Sequence, residues 1–536
     1  MTDEEVLQSL EEYTKNAIDH QHRTLRSILA HQAYVSYLRP YFSGHLPPID
    51  AATFRRLVPL SSYDDYADHI NNLANHGSVD QYPPVLSVDP LHCFHHSSGN
   101  STMKPKLIPY FDSAPATAAM DIAVQAFTAL HRKLFPPRPE VNKFLYLLYG
   151  IHNMSTPGGF KITAASTHSL LNKENLFQRH LASPREVIFG QDYEHQMYCH
   201  LLRALGDSDL IDGIQAPYAI GLVRAFAMLE SRWEQLCDDL ENGFPSLEIS
   251  DAAMRESVVK LLGGPRVDLS RRIQMICEKK NWGGIVSKLW PNLRYVKCVT
   301  TGSMKQYYSK IKYYAGDVMV LGGEYFSSEC VGGINWDITQ PPETTRFLML
   351  PTAACFEFLP FESDRSSTTA TVEETVDFSG VEEGKLYELV VTTYKGLYRY
   401  RLGDIVRVVG FHNSSPLIEF VMRATKDAYE VTERDLMSAI ESFQLEIGNH
   451  MGMEIVEYSS FLEADTSPNQ LKFFIEIEKF KFPQAGKLQE LIEALKRCCS
   501  SLENGLGVYY KLQRHSCEIA PLFFFLFTIR IPVLTT

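Results

Sequence analysis

The sequence has no C-x-x-C pair, no long apolar run and no basic cluster, and each absence excludes a class of protein. Its 10 cysteines in 536 residues are scattered, with only Cys498 and Cys499 adjacent. That spacing argues against a zinc ribbon or a thioredoxin-like redox motif. At this density cysteine suits a reducing compartment, where the thiol acts mainly as a small buried hydrophobe. The apolar stretch Leu522 to Phe527 is far shorter than the ~20 residues of a spanning helix. A formal charge of −13 is opposite in sign to a broad nucleic-acid footprint, and no polybasic membrane patch stands out. The acidic start, Met1-Thr2-Asp3-Glu4-Glu5, lacks the basic and apolar regions of a signal peptide. The expectation is a cytoplasmic protein whose partners are small molecules, not nucleic acid and not membrane. Internal repeats, low-complexity segments and the G-x-x-x-x-G-K-[ST] phosphate loop are missing as well.

What is present is ordinary globular texture, 45% hydrophobic and 21% charged, in a chain long enough for two or more domains. Glu4 to about Phe42, Thr117–Leu130, Gly221–Asn242, Ala252–Leu262 and Leu269–Lys279 read as helices from their apolar spacing and alanine content. Strands are expected at Lys143–Tyr149, Tyr295–Thr300, Asp317–Leu321, Thr345–Leu350 and Ala354–Leu359. A hairpin is expected from Lys385 to Val409 through Lys395-Gly396. Helices alternating with apolar strands, followed by hairpins, predict an α/β domain with an attached β-rich part. Gly410 to Pro416 reads as a linker. A small α+β unit follows, with helices at Glu433–Phe443 and Lys487–Leu502 and a strand at Lys472–Phe480.

Three loops at strand ends carry groups that a nucleotide site uses. The first is His95-His96-Ser97-Ser98-Gly99-Asn100-Ser101-Thr102-Met103-Lys104-Pro105-Lys106. Ser97, Ser98, Asn100, Ser101 and Lys106 can aim hydroxyls, N–H groups and a cation at phosphate. Tyr325-Phe326-Ser327-Ser328-Glu329 is the second. It offers an aromatic face for a purine and a carboxylate for Mg²⁺ beside phosphates. In the third, Tyr398-Arg399-Tyr400-Arg401-Leu402-Gly403-Asp404, an Asp after a turn Gly can accept hydrogen bonds from ribose hydroxyls, with Arg401 balancing its charge. Taken singly, each has a plainer reading: a Ser-rich surface turn, a helix cap at Glu329, and a solvated Arg-x-Arg face with packed stems. Three together are harder to dismiss.

Together these segments resemble a known family. Ser97-Ser98-Gly99 with Lys106, Thr301-Gly302-Ser303-Met304, Tyr325-x-Ser327-Ser328-Glu329 with Gly333-Ile334-Asn335, and Tyr398-Arg399-Tyr400-Arg401-x-Gly403-Asp404 look like the motif set of the plant acyl acid amido synthetases. These are luciferase-like adenylate-forming enzymes that conjugate hormone acids. Phe356-Glu357-Phe358-Leu359-Pro360, Asn281-Trp282-x-Gly284-Ile285 and Leu289-Trp290-Pro291-Asn292 resemble the connecting text. The likeness runs from near residue 5 to about Leu522.

The resemblance implies an α/β fold: a large N-terminal adenylating domain of β-sheets and flanking helices, residues 1–410, a hinge at 411–423, and a small mobile α+β domain at 424–536, apparently truncated. It implies ATP and Mg²⁺, and as partners a carboxylic acid of the indole-3-acetic or jasmonic type and an amino acid. Ser97, Ser98, Asn100, Ser101 and Lys106 would contact phosphates, with Lys106 catalytic. Thr301, Gly302, Ser303, Met304 and Tyr325 would hold adenine, with Ser328 alongside. Glu329 would bind Mg²⁺ and be catalytic, Asp404 would hold the ribose, and Arg423 would touch ribose or phosphate. Gln125, Tyr218 and Val331 would line the acid pocket.

Four departures from the family pattern stand out. The phosphate loop has Asn100 for Thr and Met103 for Gly. The helix after it carries Ala123-Val124-Gln125-Ala126 where a carboxylate-pairing Arg is usual. After Arg423 the chain is several residues shorter, and beyond Leu522 the run Phe523-Phe524-Phe525-Leu526-Phe527 replaces the usual ending, which makes it a candidate exposed apolar patch. Two further readings stay open: a catalytically impaired homologue that binds nucleotide or hormone, and an acyl-CoA ligase.

Overall fold

A computed structural model describes the chain except residues 43–48, 78–83, 98–105, 151–153, 172–173, 247–248, 362–373, 425–432, 464–467, 478–487, 516–518 and 528–536. The described residues form two compact units, the first ending at Val421 and the second starting at Met422. Among the described residues no helix is long and apolar enough to cross a membrane.

The first unit contains strands β1 (Leu91–His96), β2 (Leu107–Phe111), β3 (Lys143–Tyr146), β4 (Ile162–Thr163), β5 (Ile211–Tyr218), β6 (Tyr295–Val299) and β7 (Met319–Gly322). It continues with β8 (Tyr325–Phe326), β9 (Val331–Asn335), β10 (Phe347–Met349), β11 (Cys355–Pro360), β12 (Leu386–Thr392), β13 (Tyr400–His412) and β14 (Ser415–Arg423), whose last two residues pass into the second unit. Three sheets result, in the orders β2-β1-β4, β3-β5-β6-β7 and β11-β12-β13-β14-β10-β9-β8. The four-stranded sheet is parallel throughout, and its strands are joined by helical segments, as parallel pairing requires. The seven-stranded sheet contains the expected hairpin, β12 antiparallel to β13. Gly410 to Pro416, expected as a linker, is instead the turn of the next hairpin. Asn413 sits there at φ 54°, a conformation that Asn tolerates better than most residues. The stretch 411–423, expected as a hinge, is mostly the strand β14.

Local chemistry explains the helix ends. The first helix, Asp3–Lys15, opens with a reciprocal box in which Thr2 N donates to Glu5 at 2.7 Å and Glu5 N donates to the Thr2 hydroxyl at 3.2 Å. The helix Ala219–Asn242, kinked at Arg232, buries Leu222, Val223, Phe226, Leu229, Leu236 and Leu240. Each such side chain stabilises the fold by about 1.5–3 kcal/mol. These side chains meet the parallel sheet and the fully buried Trp290, whose indole N–H donates to the Ala204 carbonyl at 2.9 Å.

The second unit holds the helices Glu433–Met451 and Leu488–Gly505 against a sheet of β15 (Ile455–Glu463), β16 (Gln470–Ile477) and β17 (Phe523–Phe527). The apolar ending is thus a strand, parallel to β16. Only half of it is a surface patch. Phe524 and Leu526 pack against the core, while Phe523, Phe525 and Phe527 are exposed, as the two-residue period of a strand dictates.

Candidate active site

The parallel sheet positions several of the candidate residues. Tyr218 closes β5, Thr301–Met304 follows β6, and Tyr325 follows β7, so all three lie beyond the carboxyl ends of adjacent strands. In open α/β sheets ligands bind at that edge. Tyr218 is 48% exposed there. Residues Gly302 to Tyr307 form a short 3-10 helix that starts from Thr301. Gly302 has φ 60°, and a Cβ on it would lie 2.7 Å from the Phe420 ring on β14, so the position favours glycine twice over.

Phe420 also packs against Tyr325, with ring centres 6.5 Å apart. The Tyr325 hydroxyl donates to Asp404 Oδ2 at 2.5 Å. The structure therefore brings Gly302, Tyr325 and Asp404 together around Phe420. Asp404 is aimed by a bulge. Glu388 pairs with Ile405 and Val390 with Arg401, so β13 sets Leu402, Gly403 and Asp404 against Leu389 alone. Gly403, at φ 75°, takes the turn such a bulge needs. Asp404 is only 2% exposed and Tyr325 9%, and a short hydrogen bond to a carboxylate in such surroundings is among the strong ones.

The two arginines before the bulge are structural. Arg401 forks onto Glu388 of β12, with the closest contact 2.6 Å. Arg399 is buried, at φ 46°. It donates to Glu357 at 2.8–3.1 Å, to the Thr375 hydroxyl at 2.9 Å, and to the carbonyls of Arg55 and Val58 at 2.8 Å each. The solvated Arg-x-Arg face is corrected at Arg399: its whole donor fork is used inside the protein.

Ser97 and Lys106 form the two sides of the phosphate-loop candidate. Ser97 N donates to the Lys106 carbonyl at 3.0 Å, and Lys106 N donates to the Ser97 hydroxyl at 3.1 Å. These bonds extend the β1–β2 pairing, in which His96 faces Leu107. The Lys106 ammonium stands 5.5 Å from the centre of the Tyr63 ring. Ser98, Asn100, Ser101 and Met103 lie outside the described residues.

Ser328 and Glu329 occupy a tight turn between β8 and β9. Ser327 N donates to the Cys330 carbonyl at 2.9 Å, and Cys330 N donates to the Ser327 hydroxyl at 3.1 Å. Glu329 is not a helix cap. The residue is 8% exposed, and its carboxylate makes no ion pair or hydrogen bond among the described residues. A carboxylate without a protein partner leaves its oxygens available as ligands, so Glu329 fits a hard divalent cation such as Mg²⁺.

The remaining candidates are more dispersed. Val331 is buried between β9 and the helix Ala114–Leu134, packed with Ala123 and Ala126. Gln125 lies on that helix but on its exposed side. Arg423 ends β14 and belongs to the second unit. One group was not anticipated. Lys395, in the β12–β13 connection, is half-buried, its ammonium 3.8 Å from the centre of the Tyr110 ring. Burial brings its pKa down to about 8. A Lys-Gly turn gives no sequence signal for this, and neither does Phe420 for its packing role.

The profile of the GH3 family N-terminal domain matches residues 6–320, and that of the GH3 family central domain matches residues 347–423. The chain belongs to the GH3 family. It is 45% identical to the probable indole-3-acetic acid-amido synthetase GH3.6 of Oryza sativa subsp. japonica over 349 residues, 63% of this chain and 71% of that protein. It is 32% identical to the jasmonoyl–L-amino acid synthetase GH3.5 of the same species, covering 93% and 85%. With the indole-3-acetic acid-amido synthetase GH3.17 of Arabidopsis thaliana it shares 31% identity, covering 96% and 87%. The solved structure of AtGH3.15 acyl acid amido synthetase in complex with 2,4-DB matches with a TM-score of 0.80 at 27% identity, over 98% of this chain and 90% of that one. The family named by the motifs and the family matched over the GH3 domains are the same.

Proposed function

We infer that this GH3 chain is an ATP-dependent acid–amino acid ligase acting on a plant hormone acid of the indole-3-acetic or jasmonic type. The observation that carries this reading is the junction of Gly302, Tyr325 and Asp404 at the carboxyl edge of the parallel sheet. It offers a base platform and a ribose acceptor side by side. Family membership and relatives named as amido synthetases of both acid types support it.

The chemistry runs in two halves. A carboxylate oxygen of the acid attacks the α-phosphorus of ATP, and the bond to pyrophosphate breaks. The amine of the amino acid then attacks the acyl carbon of the adenylate. AMP leaves with the bonding electrons, and the ammonium proton passes to solvent. Asp404 and Tyr325 hold the ribose, Thr301–Met304 border the base, and Ser97 and Lys106 frame the phosphate loop. Glu329 would hold Mg²⁺, which when bound would supply positive charge to the phosphate oxygens. Adenylation improves the leaving group, and oriented donors stabilise the charge that builds on phosphate. The small mobile domain expected at residues 424–536 would change position between the two halves. The nine described cysteines are all free thiols, which supports a reducing, cytoplasmic setting.

The test is pyrophosphate release from ATP and Mg²⁺ with a panel containing indole-3-acetate and jasmonate, followed by mass detection of amide products. Acid-dependent release and an amide product are expected. If no acid in the panel supports release, from a chain shown to be folded, the impaired homologue is what remains. A thioester formed with coenzyme A in place of the amide would make the chain an acyl-CoA ligase.

A further inference from the structure

We propose that Cys93, His95 and His168 form a zinc site at the face of the β2-β1-β4 sheet. Cys93 and His95 are two apart on β1 and so share a face. His168 closes the short helix after β4, the strand that pairs with β1 at Phe94 and His95. Their donor atoms all lie within 4.8 Å of one another. Cys93 Sγ and His168 Nδ1 are 3.4 Å apart, close to the ~3.5 Å edge of a tetrahedron with ordinary zinc bond lengths. The other separations need to shorten by no more than about 1.3 Å to reach that edge.

A second observation points to a ligand. His95 is 5% exposed, and among the described residues neither ring nitrogen makes a hydrogen bond of ordinary geometry. A loose approach of the Ser328 main chain is the polar relief it has. Buried polar atoms are nearly always satisfied, and a metal would satisfy this one. The rings are already gathered: His95 and His168 have centres 5.0 Å apart, and Tyr110 of β2 packs on both at 4.7 and 4.4 Å. Burial holds His95 at about 3 and His168 at about 4, so both imidazoles are neutral and offer lone pairs at pH 7. One thiol and two imidazoles form a soft donor set that suits zinc and not Mg²⁺ or Ca²⁺.

Lys395 faces the cluster. Burial pushes the Cys93 thiol up to about 12, and the Lys395 charge works against that rise. Zinc binding therefore forms a zinc–sulfur bond and releases the thiol proton to solvent, one per ion. The bound ion would tie β1 to the segment after β4. Because β1 runs directly into Ser97, it would fix the root of the phosphate-loop candidate. The site stands or falls independently of the ligase reading.

The experiment uses the full chain after chelation and dialysis. Titration with Zn²⁺ should give one ion per chain with release of one proton in weak buffer. Co²⁺ should give a thiolate-to-metal charge-transfer band in the near ultraviolet. Cys93→Ser should abolish that band. Cys93→Ser and His168→Gln should each weaken zinc by more than the roughly 10- to 100-fold that loss of a mere supporting partner costs. His76→Gln, on an exposed helix end, should bind as the wild type does. Equal zinc binding by the wild type and both ligand variants overturns the site. So does the absence of a thiolate band from the wild type, whether or not the variants fold.

Discussion

Replacing Asp404 by Asn tests the ribose reading most directly. The change keeps the size of the side chain. The amide oxygen can still accept from the Tyr325 hydroxyl, now 2.5 Å from Oδ2. Packing of the Tyr325 ring against Phe347 and Phe420 is unaffected, so the fold should lose no more than about 1 kcal/mol, the difference between a charged and a neutral acceptor for one bond. A ribose is different because it offers two hydroxyl donors. Hydrogen bonds to a charged group contribute about 1.5–3 kcal/mol and neutral ones about 0.5–1.5. Two such bonds should therefore lose about 2–3 kcal/mol, or roughly 30- to 150-fold in affinity. Calorimetric titration with AMP and with 2′,3′-dideoxy-AMP separates this from general damage. AMP should weaken by that factor, while the dideoxy nucleotide, which lacks both donors, should change less than about threefold. If both nucleotides weaken equally, or AMP binds unchanged, Asp404 does not hold the ribose.

The other predictions concern the frame around that site. Tyr325→Phe leaves the ring in place and removes the donor, so it should cost about 1.5–3 kcal/mol in urea unfolding. Gly302→Ala forces φ 60° on a residue with a Cβ and overlaps Phe420. It should cost on the order of 1–2 kcal/mol from the backbone alone, and AMP affinity should fall as the ring is displaced. Arg399→Met leaves Glu357 buried with only the longer 3.6 Å contact to Arg55 and the Thr375 hydroxyl, and should destabilise by up to about 3–5 kcal/mol, whereas Arg399→Met with Glu357→Met should recover most of that loss, as denaturant midpoints would register. His200 is buried. Its Nε2–H donates to the Leu148 carbonyl at 3.0 Å, and Nδ1 accepts from the Ser183 hydroxyl at 2.6 Å. Burial lowers its pKa from 6.5 to about 4. The unfolded chain then binds the extra proton first, so stability should fall as pH drops from about 6.5 towards 4 and be level above that range. His200→Gln should flatten that slope in pH-dependent urea titrations.

Much of the fold was legible in the sequence wherever one local rule was enough. The helix Ala219–Asn242 follows from its apolar stripe, and the strands ending at Val299 and Gly322 follow from short apolar runs. The β12–β13 hairpin was also expected, although not the packing of its Lys395 on Tyr110. The linker expected at Gly410 to Pro416 turned out to be a hairpin turn, because Asn, Ser and Pro favour any turn and do not distinguish one that ends a domain. The apolar ending was half misread. Whether a phenylalanine in that run faces core or solvent depends on its pairing with β16, which the chain cannot state locally.

At the site, the sequence by itself determined the set of groups: a Ser-rich loop with Lys106, an aromatic residue with a carboxylate at Tyr325 and Glu329, and a glycine before Asp404. Tertiary structure decided which of them act together. Tyr325 and Asp404 are 79 residues apart and meet at 2.5 Å only because a bulge in β13 turns one towards the end of β7. Cys93 and His168 are 75 residues apart and meet at 3.4 Å only because β4 lies beside β1. Arg399 and Arg401, alike in sequence, differ in the fold because φ 46° at Arg399 turns its guanidinium inward onto Glu357. Residue type is a local property of the chain. Proximity and burial, which set charge, proton affinity and ligand choice, come from pairings between distant segments.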